Sequence, residues 1–243
     1  MKNEVNRALV AKKKGLLFIM LAAVLLPCEA AKQPMTLFLV GDETVAEQSA
    51  PEDDNNGATA VGWGQELAAF LPEGTIIENH ALDGATSKSF MDDGQWNTLL
   101  GRAKRRNVVL IEFGHHEYDE DDPRHYSGLE TFENTLMQMV QEAKKKGLRV
   151  ILATPTSKCF YRDSVLHERH GAYPEGVRRV AQRLEVPLID LETLTRAWLD
   201  GKTEEESRKY FAKDDDIRLN REGAKAVAEM VVKAAKEQKV KGF

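Results

Sequence analysis

The chain has 243 residues, 42% of them apolar and 30% charged, with a formal net charge of -5. That balance belongs to a folded globular chain and excludes a disordered one. An acidic total also excludes a nucleic-acid binder held mainly by phosphate contacts. The first element in chain order is an N-terminal leader. Lys2, Arg7, Lys12, Lys13 and Lys14 precede an uncharged apolar run over residues 15–26, which Pro27 breaks before Cys28, Glu29 and Ala30. A basic start, a short apolar centre and a small-residue exit predict a secretory signal over residues 1–30, a single domain over 31–243, and a secreted or periplasmic protein. The apolar run is too short to span a bilayer. Pro27 beside Cys28 argues against lipid attachment. Cys159 is then the one cysteine left, so no intramolecular disulfide is expected and burial must hold the fold.

Apolar runs then alternate with amphipathic segments. Residues 36–40 (TLFLV) predict a first strand, 61–70 a short helix and 75–78 a second strand. Residues 96–105 predict a helix, and 107–113 (NVVLIEF) a strand apolar enough to be covered on both faces. The longest helix is expected over 129–146, where Leu129, Phe132, Leu136, Met139, Val140 and Ala143 recur at helical spacing. Gly147 ends it behind Lys144, Lys145 and Lys146. A strand over 149–154, a helix over 175–184 and a strand over 186–190 follow. Helices near 204–211 and 221–236 close the chain. This order predicts a three-layer α/β/α sandwich with about five parallel strands. Ligands in such folds sit beyond the carboxyl ends of the strands. Attention therefore falls on the loops at 41–45, after Asn79, at 114–119, at 154–161 and at 214–220.

Those loops carry a recognisable set of blocks. They are Gly41-Asp42-Glu43-Thr44, Gly62-Trp63-Gly64, and Asn79 with Ala81, Gly84 and Thr86. Phe113-Gly114-His115-His116-Glu117, Thr154-Pro155 and His170-Gly171-Ala172-Tyr173-Pro174 follow. The last is Asp215-Asp216-Ile217-Arg218-Leu219-Asn220 before Gly223-Ala224. In this order the set resembles the GDSL/SGNH hydrolase superfamily and, more narrowly, the rhamnogalacturonan acetylesterases, over about residues 36–235. The resemblance implies a flavodoxin-like sheet, no cofactor and no metal. It also implies a site made of the positions now held by Glu43, Gly84, His116, Asp215 and Arg218. The family has a nucleophilic Ser where this chain has Glu43, an oxyanion-holding Asn where it has His116, and a basic His where it has Arg218. Gly84 and Asp215 keep the family's residue types.

These substitutions change the chemistry. Family-type ester cleavage needs a hydroxyl nucleophile, an imidazole base and donors around the oxyanion. Glu43 places a negative charge where the oxyanion forms, and the Arg218 guanidinium stays protonated. The chain is therefore expected to lack serine esterase activity. It is expected to act on or bind a plant-type polysaccharide, with an acidic polysaccharide or oligosaccharide as its partner. The alternative is a glycosidase built on Glu43 and a second carboxylate such as Asp42, Glu117 or Asp215. Arg218 is expected to bridge Glu43 and Asp215 and close the centre. A metal held by His115, His116 and Glu117 is the weaker reading, because neighbouring residues at a strand end point apart. Trp63 and Trp96 are expected in the core.

Overall fold

The computed structural model describes residues 35–49 and 59–243, so the leader lies outside the described residues. Five strands form one parallel sheet: β1 (Thr36–Val40), β2 (Ile76–Asn79), β3 (Val108–Glu112), β4 (Arg149–Ala153) and β7 (Leu188–Ile189). Their order is β2-β1-β3-β4-β7. β3 lies at the centre and is buried along its whole length, as its unbroken apolar run requires. The order reverses between β1 and β3. The crevice above their carboxyl ends is where a ligand site is expected in this architecture.

Alternation along each strand builds two cores. Leu37, Leu39, Val108, Leu110 and Ile151 face one side. There they meet α1 (Trp63–Glu66), a 3₁₀ turn (Leu67–Phe70), α6 (Leu191–Leu199) and α8 (Arg221–Glu237). Phe38, Val40, Val109, Ile111, Val150 and Leu152 face the other. There they meet α2 (Ser87–Asp92), α3 (Gln95–Arg102), α4 (Leu129–Lys146) and α5 (Tyr173–Leu184). Trp63 and Trp96 are fully buried, each with its indole N–H donating to a carboxylate, Glu112 and Glu142 respectively.

Several elements depart from the sequence expectation. The helix expected over 61–70 is one α turn followed by one 3₁₀ turn. Gly62 sits there because any Cβ would lie 2.0 Å from the Ala46 carbonyl oxygen. α2 was not expected. It is a short polar segment that starts on a reciprocal cap, with Thr86 Oγ1 accepting from Ser89 N–H and Ser89 Oγ accepting from Thr86 N–H. The strand expected over 186–190 shrinks to two residues behind Pro187. A β5–β6 hairpin (Tyr161–Arg162 and Val165–Leu166) turns through Asp163 and Ser164 at positive φ. The sequence does not announce α6, and α7 (Glu204–Arg208) ends short of the helix expected near 204–211. Among the described residues no helix is long and apolar enough to cross a membrane.

Candidate functional site

β1 delivers its last residues into a tight turn above the sheet, where Val45 and Ala46 N–H groups close on the Asp42 carbonyl. The turn buries Glu43, which is only 1% exposed. Its carboxylate has two fixed partners. Glu43 Oε1 lies 2.6 Å from His116 Nε2, and Oε2 accepts the Gly84 N–H at 3.2 Å. Gly84 holds that N–H in place from the loop after β2, at φ +69°, a conformation glycine adopts without penalty. Against burial, which acts to raise it, the hydrogen bond and charge of His116 and the charge of Arg218 hold the Glu43 carboxyl below its ordinary value. Against burial, which acts to lower it, the Glu43 hydrogen bond and charge raise the His116 imidazole. The pair is therefore a carboxylate and an imidazolium over a shared range of pH.

The expected Arg218 bridge needs correcting. Arg218 does join two carboxylates, but they are Asp215, at 3.1 Å from Nη1, and Asp83, at 2.9 Å from Nη2. Among the described residues Arg218 makes no ion pair with Glu43. The reason is depth: Glu43 is already held from two sides beneath the surface, while the long Arg218 side chain reaches half-exposed Asp83. Asp215 also accepts the backbone N–H groups of Ile217 and Arg218, at 2.7 and 2.8 Å. Those bonds and the guanidinium outweigh burial and hold its carboxyl below the usual value.

Two further acids lie beneath Glu43. Asp42 and Glu112 are fully buried. Thr44 Oγ1 is 2.9 Å from Asp42 Oδ1 and 3.2 Å from Glu112 Oε2. One hydroxyl has one proton to donate, so the second contact is filled only when an acid carries a proton. Burial pushes Glu112 up to about 8 and raises Asp42 well above its ordinary value. The folded state thus binds protons that the unfolded chain releases near its ordinary value of 4.5. The stability this confers is complete below that value and is lost as pH rises through about 8. We expect the urea midpoint to fall from pH 5 to pH 8 and then level. Glu112→Gln is expected to be less stable at pH 5, because its amide cannot accept from Trp63 and Thr156 together, and to show a flatter pH profile. An equal slope in both proteins would refute the assignment.

His115 and His116 diverge, with ring centroids 6.5 Å apart. His115 turns inward, where its Nδ1 lies 3.0 Å from His170 Nε2. His170 in turn lies 3.0 Å from Glu168 Oε1, and His115 Nε2 faces Thr156 Oγ1 at 3.4 Å. Glu117 is buried and accepts the Ser87 N–H at 2.9 Å. Among the described residues no group of three or more His, Cys, Asp or Glu is arranged to hold a metal ion. Cys159 is buried, and burial pushes its thiol up to about 11.

This geometry sits in a chain that matches the GDSL-like Lipase/Acylhydrolase family over residues 39–226. The chain belongs to that family. It is 28% identical to rhamnogalacturonan acetylesterase RhgT of Bacillus subtilis (strain 168), over 85% of this chain and 91% of that protein. It is 29% identical to the probable rhamnogalacturonan acetylesterase YesY of the same strain, over 83% and 92%. Among solved structures it superposes on protein YxiM of Bacillus subtilis with a TM-score of 0.76 and 26% identity, covering 86% of this chain and 58% of that one. This chain therefore spans little more than half of that protein. The acetylxylan esterase Axe2 of Geobacillus stearothermophilus shares the fold, with a TM-score of 0.61 at 18% identity.

The sheet thus brings Glu43, Gly84 and His116 into direct contact, and sets Asp215 and Arg218 beside them as a second cluster. Sequence reasoning did not find Asp83, whose pairing with Arg218 spans 135 positions, nor Lys158, which lies buried on the loop after β4. Both sit in loops already marked as strand ends, but neither residue type at its position carries a distinctive signal. Chemically, the cluster offers ionised carboxylates locked to cations. The carboxyls that favour a proton, Asp42, Glu112 and Glu117, are buried beneath it.

Proposed function

We propose that this protein is an exported carbohydrate-binding member of the GDSL-like family that has set aside the serine route of ester hydrolysis. One observation carries the reading. The Glu43 carboxylate occupies the Gly84 N–H and is ion-paired with His116, so a charge-bearing oxygen already sits where an acyl oxyanion needs its donor. Similarity to rhamnogalacturonan acetylesterases supports a polysaccharide or oligosaccharide as the partner, placed across the strand ends. The basic, apolar leader supports export.

The glycosidase alternative asks for one carboxyl that carries a proton next to one that does not. Glu43 and Asp215 are both held ionised, and the proton-bearing acids are fully buried, which favours binding over that chemistry. The test is a glycan array run beside turnover of p-nitrophenyl acetate and acetylated pectin, for wild type and Glu43→Gln. Glycan binding without turnover is expected. Turnover that disappears in Glu43→Gln would place Glu43 in a mechanism and overturn the reading.

A further inference from the structure

A buried cation without a counter-ion lies next to the Glu43–His116 pair. Lys158 is 5% exposed. Its ammonium donates to the His115 carbonyl oxygen at 3.2 Å and to the Tyr118 hydroxyl at 3.1 Å, and lies 4.9 Å from the Tyr118 ring centroid. All of these partners are neutral. Among the described residues no Asp or Glu forms an ion pair with it. Arg218, Arg208 and Arg178, all more exposed, each have at least one carboxylate. The Lys158 charge reaches the surrounding imidazoles: alongside burial, it acts to lower His115, His116 and His170.

Withdrawing an ammonium from water without an anion is costly, and a lysine head has three protons to donate, of which two are used here. The groups around it add positive character. His116 is 29% exposed at its side chain, and its Nε2 is committed to Glu43. Among the described residues its other ring nitrogen has no hydrogen-bond partner. Glu117 does not compensate Lys158: its carboxyl turns to the backbone N–H groups of Ser87 and His116, and burial raises it so that it favours a proton. Tyr118, which touches the ammonium, is itself 43% exposed.

We propose that Lys158, His116 and Tyr118 form an oxyanion-binding site that takes the carboxylate of an acidic sugar. The third ammonium proton, the free imidazolium N–H and the phenol hydroxyl supply the donors. The sugar part of this assignment rests on the carbohydrate-binding reading above. A free inorganic phosphate has the same donor requirements, so the test separates the two.

The experiment is an NMR titration of the mature chain, following the His116 ring signals, with sodium glucuronate, glucose and inorganic phosphate as probes. Glucuronate is expected to bind and glucose not to. Lys158→Met is expected to weaken glucuronate at least ~10-fold, the loss of one charge-assisted hydrogen bond. Its melting temperature should stay at or above that of wild type, because a buried unpaired charge has been removed. Lys158→Arg, which keeps the charge, should retain part of the binding and guards against a folding artefact. Phosphate binding without glucuronate binding would overturn the acidic sugar, and unaltered glucuronate binding in Lys158→Met would overturn the site. Glycan-array binding that persists in Lys158→Met would leave the carbohydrate reading standing and remove only this site. Glucuronate binding by a protein silent on the array would do the reverse.

Discussion

Glu43→Ser combined with Arg218→His is expected to hydrolyse p-nitrophenyl acetate at least ~10²-fold faster than wild type, while each single variant stays at the wild-type background. The argument starts from what is already in place. Asp215 is positioned by two backbone N–H groups and offers Oδ2 to the side chain at 218, so a histidine there inherits an oriented carboxylate. Removing the Glu43 carboxylate frees the Gly84 N–H, and one oxyanion donor alone is worth about 10²–10³ in rate. Neither change suffices by itself. A serine at 43 ends about 2.5 Å short of the present carboxylate oxygens, two bonds nearer the backbone, so His116 no longer reaches it. A histidine at 218 facing Glu43 has no hydroxyl to deprotonate. Members of such a unit act together and their effects do not add. Initial rates and an acyl-enzyme burst measure the outcome. A folded double variant no faster than wild type would mean that the substituted positions do not make up a former catalytic unit.

The parts of the molecule legible from sequence were those set by local pattern. β1 and α4 have the bounds their apolar periods require, because four consecutive apolar residues behind Thr36 and an 18-residue amphipathic stripe leave little choice. α2 was invisible because its stability comes from a Thr86–Ser89 cap in a polar segment. The β5–β6 hairpin turns on Asp163-Ser164, which lacks the glycine that usually announces such a turn. The same divide runs through the site. Glu43, His116 and Arg218 stand out one by one, since each stands where the resembling family's blocks have another residue. Their pairing does not, because it is set by the β2-β1-β3 order and by loop depth. Depth sent Glu43 to His116, 73 positions away, and left Arg218 to Asp83. Lys158 shows the limit most clearly. A lysine among polar loop residues reads as solvated, and only the packing of Tyr118 and His115 over it shows otherwise.

His116→Ala is expected to cost about 2–3 kcal/mol of folding stability, through the charge it strands and not through the ring it removes. Breaking a buried pair leaves its partner uncompensated, and that penalty exceeds the net worth of the pair. Glu43 would keep the Gly84 N–H as its remaining partner outside its own turn. Glu43→Gln placed in the same chain removes the stranded charge and should recover part of the loss, giving a coupling energy of about 1–2 kcal/mol in a double-mutant cycle. The pH dependence follows from the two directions of shift. Glu43 is held below its ordinary 4.5, so its share is present above that value and is lost as pH falls through the lower folded value. His116 is raised above its ordinary 6.5, so its share is complete below that value and is lost as pH rises through the higher folded value. The coupling should therefore peak between about pH 4.5 and 6.5 and shrink on either side. Asp42 and Glu112 feel the Glu43 charge, but that effect is shared by the two proteins that keep Glu43, with and without His116, so it cancels in the coupling and leaves the ion pair as its source. Urea midpoints at pH 4, 5.5 and 8 measure it. A coupling that stays constant across those three values would mean that Glu43 and His116 meet as neutral hydrogen-bond partners, and the occupied-donor argument would lose the charge on which it rests.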